Sequence, residues 1–152
     1  LSFIIKDYDD VIQQEVYRAW EKGVILIAAA GNNNTSKLQY PGGFGPVIAV
    51  AATNREDKKA SFSNYGDWVN LAAPGVDIYT LNENGQVVKT SGTSIAAPLV
   101  AGIAGLVWTS EYGTSNEAVV KRMCDTADKI EGMQTYWKCG RINAARAVGA
   151  IK

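Results

Sequence analysis

A serine hydroxyl at the mouth of an apolar helix and a side-chain amide at the end of a buried strand are the groups here that could do chemistry. The serine is Ser94, in Ser91-Gly92-Thr93-Ser94-Ile95-Ala96-Ala97-Pro98; the amide is Asn32, after Ala28-Ala29-Ala30-Gly31. Backbone N–H groups at a helix start lack intrahelical partners, and the helix dipole there favours negative charge. An oxyanion formed when Ser94 attacks a carbonyl would meet those donors. The Asn32 amide adds two more N–H groups, and one such donor is worth about 3–4 kcal/mol in a transition state. Taken singly, Ser94 reads as a helix cap and Asn32 as a loop cap; taken together they are a nucleophile and an oxyanion stabiliser for acyl transfer. The chain has 0 histidines, and a serine hydroxyl is a poor nucleophile until a neighbouring base takes its proton. Nothing in the sequence places Lys37 or Lys89 beside Ser94. The chain by itself is therefore expected not to catalyse acyl transfer at a useful rate.

The elements that must position these groups alternate between strand and helix patterns. Ser2–Ile5 is strand-like; on sequence alone Ser2-Phe3-Ile4 reads first as an ordinary internal strand, and second as a backbone that could pair with an extended peptide. Asp7–Asp10 supplies helix caps, after which Val11, Ile12, Val16, Ala19 and Trp20 fall on one helical face, with Gly23 at the C-terminal cap position. Val24–Ala30 and Val47–Ala52 are apolar runs suited to strands buried on both faces, which predicts a parallel sheet. Trp68–Ala72 ends at Pro74-Gly75. Asn84-Gly85 between Ile78–Leu81 and Val87–Thr90 marks a hairpin. Pro98, placed in a first helical turn, sets a helix start near Ser94, running to Trp108; its small side chains predict burial almost all round. Thr114-Ser115-Asn116-Glu117 is a capping box for a helix to about Asp125, and Gly140-Arg141-Ile142-Asn143 leads into a short last helix. The fold class is α/β, in one domain.

Composition narrows the partners. The 152 residues are 47% hydrophobic, with 15 Lys+Arg against 15 Asp+Glu. A net charge of zero argues against nucleic acid, which needs a basic face. The longest apolar stretch, Ile95–Trp108, is short of the roughly 20 residues of a membrane span. No signal peptide is visible, and an opening on Leu1-Ser2-Phe3-Ile4-Ile5 reads as mid-strand, so the expectation is a piece of a longer protein. Cys124 and Cys139 read either as two buried thiols or as a disulfide worth about 3 kcal/mol, the latter implying an oxidising compartment. Without histidine, zinc is not expected.

GTSIAAPLVAG and AAAGN, in this order and separation, resemble the signatures of the subtilisin-like serine proteases. Tyr40-Pro41-Gly42, Val47–Val50, Ala60–Ser63, Ala72–Gly75, Thr126–Ile130 and Tyr136-Trp137 with Gly140–Asn143 resemble further segments of that family. The short gap from Asn32 to Tyr40 and the TADKI…TYW ending resemble its thermitase branch. The resemblance implies the C-terminal half of a three-layer fold, a mostly parallel sheet flanked by helices. It implies Ser94 as nucleophile, with the Asn32 amide and the Ser94 N–H as oxyanion hole, and a catalytic Asp and His in a preceding half that this chain lacks. It implies substrate contacts from Ser2, Phe3, Ile4, Ala29, Ala30, Gly31, Gln39, Tyr40, Gly92 and Thr93, and a cis Tyr40–Pro41 bond. No cofactor serves the chemistry. A weak structural calcium site is implied at the Gly42, Phe44 and Val47 carbonyls, although Trp68 and Asn70 stand where relatives have helping carboxylates. The implied partners are a peptide or protein substrate, the N-terminal half, and a propeptide or protein inhibitor; the implied location is secreted or cell surface. Ile4 stands where the family has glycine, crowding the cleft, which keeps open a second reading, an inactive relative that binds peptides or proteins. An unrelated α/β-hydrolase does not fit, since G-x-S-x-G is absent around Ser94.

Overall fold

The computed structural model describes residues 1–5 and 7–151. Among the described residues nine elements follow one another: α1 (Asp10–Glu21), β1 (Ile27–Ala29), β2 (Ile48–Thr53), β3 (Leu71–Pro74), β4 (Ile78–Leu81), β5 (Val87–Thr90), α2 (Thr93–Trp108), α3 (Asn116–Asp125) and α4 (Ala144–Ala147). Strands β1, β2 and β3 form a parallel sheet in that order, with Ile27 opposite Ile48 and Val50 opposite Leu71. β4 and β5 form the expected antiparallel hairpin, closed by a longer turn in which the Asn82 side-chain oxygen accepts from the Asn84 and Gln86 N–H groups.

Local chemistry explains the element ends. Asp9 caps α1 by accepting from the Val11 and Ile12 N–H groups. At the other end Gly23 (φ 82°) donates to the Trp20 carbonyl and Val24 to that of Ala19, the paired bonds that close a helix through a left-handed glycine. That closure draws Val24 into the helix cap, so the strand predicted from Val24 begins only at Ile27. Ser115 caps α3 and Asn143 caps α4.

The sheet sorts its side chains by the two-residue period of a strand. Ile27, Ala29, Ile48, Val50, Ala52, Leu71 and Ala73 pack with Ala96, Ala97, Val100, Ala104 and Val107 of α2 and with Val119 and Met123 of α3. On the opposite face Ala28 meets Val16 of α1 with Phe44 and Val47, while Ala30, Ala51 and Ala72 meet Val69 and the fully buried Trp137. The layers are thus helix, sheet, and helix plus loop.

Three expectations change. Ser2–Ile4 forms no strand: Leu1 donates to Ile27 and accepts from Ala29, but the pairing stops there and Phe3 is 53% exposed. Helix α2 is covered on one side only among the described residues. Leu99, Leu106 and Trp108 are exposed, and a side chain added at Gly102 or Gly105 would meet open space. Pro98 is the sixth residue of α2 rather than a first-turn residue. No helix among the described residues is long and apolar enough to cross a membrane.

Cys124 and Cys139 are disulfide-bonded, Cα to Cα 5.1 Å, tying α3 to the loop that leads to Arg141. Next to it Asp128 accepts from Arg141, Asn143 and Arg146. Partial burial works to raise the Asp128 pKa, but the hydrogen bonds from Arg141 and Asn143 and the charges of Arg141 and Arg146 outweigh it and hold the carboxyl below its ordinary value. A depressed carboxylate stabilises the fold above its unfolded pKa, and that contribution disappears as pH falls through the folded one. Acid titration of the intact protein should therefore show stability falling below about pH 4, near the unfolded aspartate pKa, and Asp128→Asn should flatten that fall. An unchanged slope in the variant would remove Asp128 from the account. Replacing both cysteines by alanine should lower the unfolding free energy by about 3 kcal/mol, measured by denaturant titration; a variant as stable as the wild type would show the cross-link to be idle.

Candidate active site

The C-terminal end of β1 and the N-terminal end of α2 meet at one point, and the reason is local. β1 runs into Gly31, whose φ of 105° turns the chain away from the sheet edge. A Cβ on Gly31 would overlap the Asn64 side-chain amide, so only glycine fits. On the other side, Gly92 donates to the Gly75 carbonyl (2.8 Å). A Cβ on Gly75 would come within 2.8 Å of the Gly92 oxygen and 2.6 Å of the Ala52 Cβ. These two glycines let the start of α2 approach the ends of β2 and β3.

Asn32 and Thr93 then join the two ends. The Asn32 Oδ1 accepts from the Thr93 backbone N–H and from the Thr93 hydroxyl, each at 2.9 Å. The hydroxyl in turn accepts from the Gly31 N–H at 3.0 Å. With its oxygen committed to two donors, the amide's orientation is fixed and its Nδ2 faces the Ser94 side. The space between them is kept open by Gly92: a Cβ there would lie 3.0 Å from the Ser94 Oγ and 3.6 Å from the Asn32 Nδ2. Ser94 is the second residue of α2 and half-buried, and its N–H has no hydrogen-bond partner among the described residues. The Ser94 hydroxyl, the Asn32 side-chain donor and the Ser94 N–H therefore converge on one small volume.

The remaining sequence-predicted residues divide. Ser2 is brought in: its hydroxyl donates to the Ser94 carbonyl at 3.2 Å. That carbonyl is the one Pro98, lacking an N–H, cannot engage four residues on. Ile4 lies over the site's flank, its Cδ1 3.7 Å from where a Gly31 Cβ would be. Ile5 donates to the Tyr40 carbonyl, bringing Gln39 and Tyr40 behind that segment. Gln39 is half-buried, its amide donating to Leu38, and Phe3 points away into solvent. Ala29, Ala30 and Thr93 are buried, so their side chains support the site from beneath. The Tyr40–Pro41 bond is cis, as the resemblance implied. Gly42, Phe44 and Val47 offer a poor calcium site: the Phe44 carbonyl accepts from the Val47 N–H, and the Asn70 side-chain oxygen from Ala49. No carboxylate stands among these residues.

Sequence reasoning missed Asn64 and Lys59. Asn64, fully buried, grips the loop that carries Asn32. The Lys59 ammonium donates to the Asn34 side chain (2.7 Å) and to the Ala60 and Ser63 carbonyls, under the rings of Tyr65 and Tyr136. Partial burial holds its pKa below the usual lysine value. Nothing in the turn-like run Ser61–Asn64 distinguishes a buried clamp from a solvated turn.

Residues 4–147 match the subtilase family. The chain is 45% identical over 137 residues to thermitase of Thermoactinomyces vulgaris and to a thermophilic serine proteinase of Bacillus sp. (strain AK1), in each case over 90% of its own length. It covers 48% of the first and 34% of the second, so it spans half or less of these curated relatives. Among solved structures it superposes on the prenylagaramide maturation protease PagA with a TM-score of 0.86 at 28% identity, over 96% of this chain and 57% of that one. The self-cleaved protease domain of PatA gives 0.85 at 27% identity, over 97% and 58%.

Gly92→Ala tests the geometry without touching a reacting group. Its methyl would enter the space between Ser94 and Asn32. In the intact protein, the rate of Ser94 modification by a fluorophosphonate should fall at least tenfold, by the scale of losing one oxyanion donor, and the melting temperature should fall too, because Gly92 lies at φ 158° and ψ 158°, where a side chain is strained. Modification at the wild-type rate would show that the space is not used.

Proposed function

The chain belongs to the subtilase family, and from that premise we propose that it is the nucleophile-bearing part of a serine endopeptidase. The observation that carries this reading is the convergence of the Ser94 Oγ, the Ser94 N–H and the Asn32 Nδ2 on one open volume at the start of α2. In the proposed reaction the Ser94 oxygen attacks the peptide carbonyl, and its proton passes to a histidine supplied with its aspartate by the part of the domain outside this chain. The tetrahedral oxyanion accepts hydrogen bonds from Asn32 and the Ser94 N–H. The proton then goes to the departing amine, leaving an acyl group on Ser94, which water removes by the same steps in reverse order.

The apolar surface of the chain supports a missing half rather than a finished domain. A groove of about 390 Å3 runs between Leu1, Ile25, Ile27, Ala101, Gly105 and Trp108, and the open side of α2 with Leu99 and Leu106 is on the same helix. The relatives carry half or more of their length beyond the matched region, enough chain to cover it. The disulfide supports an oxidising compartment, in keeping with secretion or the cell surface.

Ile4 shapes the proposed specificity. Its side chain beside Gly31 fills space next to the oxyanion donor, which favours a small neutral side chain on the acyl residue of the substrate. It also keeps alive the alternative of an inactive, peptide-binding relative. Intact mass of the whole protein after fluorophosphonate treatment separates the two: one adduct on Ser94 supports the enzyme, and none supports the binding module. On the active protein, Ile4→Gly should raise kcat/KM for a phenylalanyl over an alanyl acyl residue by roughly 10–200-fold, the range for a few methylenes in an apolar pocket. An unaltered preference would place Ile4 outside the pocket.

A further inference from the structure

We infer that Asn64 is a positioning residue for the oxyanion donor Asn32, an inference that rests on the endopeptidase reading for its catalytic consequence. Asn64 sits on the loop between β2 and β3, 0% exposed. It makes hydrogen bonds to the chain on both sides of Asn32. Its Nδ2 donates to the Ala30 carbonyl at 2.9 Å. Its Oδ1 accepts from the Asn33 N–H at 2.9 Å and the Thr35 N–H at 3.2 Å. Its own backbone N–H donates to the Gly31 carbonyl at 2.9 Å. The amide orientation follows from these partners, since the nitrogen faces a carbonyl and the oxygen faces two N–H groups.

The geometry is that of a clamp. Residues 30, 31, 33 and 35 are all fixed to Asn64, and Asn32 is the residue between them. Asn32 is itself exposed, and among the described residues it makes its side-chain bonds through Oδ1 to Thr93. Backbone bonds hold the segment beyond it, Asn34 N–H to the Phe62 carbonyl (2.7 Å) and Tyr65 N–H to the Thr35 carbonyl (3.1 Å), and the Asn64 side chain adds the bonds to Ala30 and Asn33 that flank Asn32 directly. Without Asn64, the Ala30 carbonyl and the Asn33 N–H would lose partners in a region where an unpaired polar group is costly. The loop would then have reason to move toward solvent, and the Asn32 amide would leave Thr93. Lys59 holds Asn34 from outside and does not replace these bonds.

Two readouts test this on the intact protein. The first is amide hydrogen exchange of Asn64→Ala, which needs no activity. Protection at Thr93 N–H, the donor to Asn32, should fall at least tenfold together with that of Asn33 and Thr35, while Val50 and Ala52 of β2 stay protected. Thr93 protected as in the wild type would overturn the inference. If Asn64→Ala loses β2 protection as well, Asn64→Leu, which keeps the volume but not the amide, is read in the same way. The second is a double-mutant cycle on peptide hydrolysis. Asn64→Ala should lower kcat by about tenfold or more, up to the roughly 10²–10³ cost of losing an oxyanion donor outright, and leave KM within twofold. In an Asn32→Ala background the same change should add less than twofold, because its effect runs through Asn32. Full additivity would overturn the positioning role. A wild-type protein without hydrolytic activity would sink the endopeptidase reading instead, and the exchange experiment would still decide whether Asn64 holds Asn32.

Discussion

The Asn32 side-chain oxygen accepts two hydrogen bonds from Thr93, 61 residues later in the chain, and the site exists because of that link. An asparagine amide can turn over and present either atom to the cleft. Committing the oxygen to a backbone N–H and a hydroxyl leaves the nitrogen as the outward atom. The same Thr93 hydroxyl takes the Gly31 N–H, so the end of β1 and the first turn of α2 are fixed to each other as well as to the amide. A donor held in this way needs no rearrangement as charge develops, which is where electrostatic stabilisation gains its strength.

Close packing makes that link attainable. The sheet is built from alanines as much as from branched residues: Ala28, Ala49, Ala51, Ala52, Ala72 and Ala73 are fully buried. On the face that carries Ala29, Ala52 and Ala73, α2 presents Ala96, Ala97, Val100 and Ala104. Small side chains bring helix and sheet close, and Gly75 and Gly92 remove the last Cβ atoms where the helix start meets the strand ends. Larger residues at these points would lift α2 from the sheet and carry Ser94 away from Asn32.

The half-covered helix gives the chain its division of labour in the proposed reading. One side of α2 completes the core and sets the nucleophile, and the other is left apolar and open. The base that a serine nucleophile requires is absent from the composition, and the surface that a neighbouring half would cover is present in the structure. Both fit the proposed reading, in which the catalytic parts are shared between this chain and sequence outside it. Pro98 adds to the arrangement by freeing the Ser94 carbonyl, which the Ser2 hydroxyl then meets.

Composition and spacing alone brought Ser94 and Asn32 forward as candidates for one chemistry, showed that the chain holds no histidine, and predicted parallel, buried strands. These properties depend on residue type and on periodicities of two and 3.6, which a sequence carries directly. The caps at Asp9, Ser115 and Gly23 were legible for the same reason, each satisfying backbone groups within a few residues of itself. Only the tertiary structure decided which way the Asn32 amide faces, that Thr93 supports the site from beneath, that Ser2–Ile4 has no strand partner, and that Cys124 and Cys139 pair. It alone showed Asn64 as the clamp, because an asparagine in a turn-like run looks the same whether it is solvated or buried. Its role is set by Ala30, Asn33 and Thr35, some thirty residues away, and long-range hydrogen bonds leave no periodic mark in the sequence.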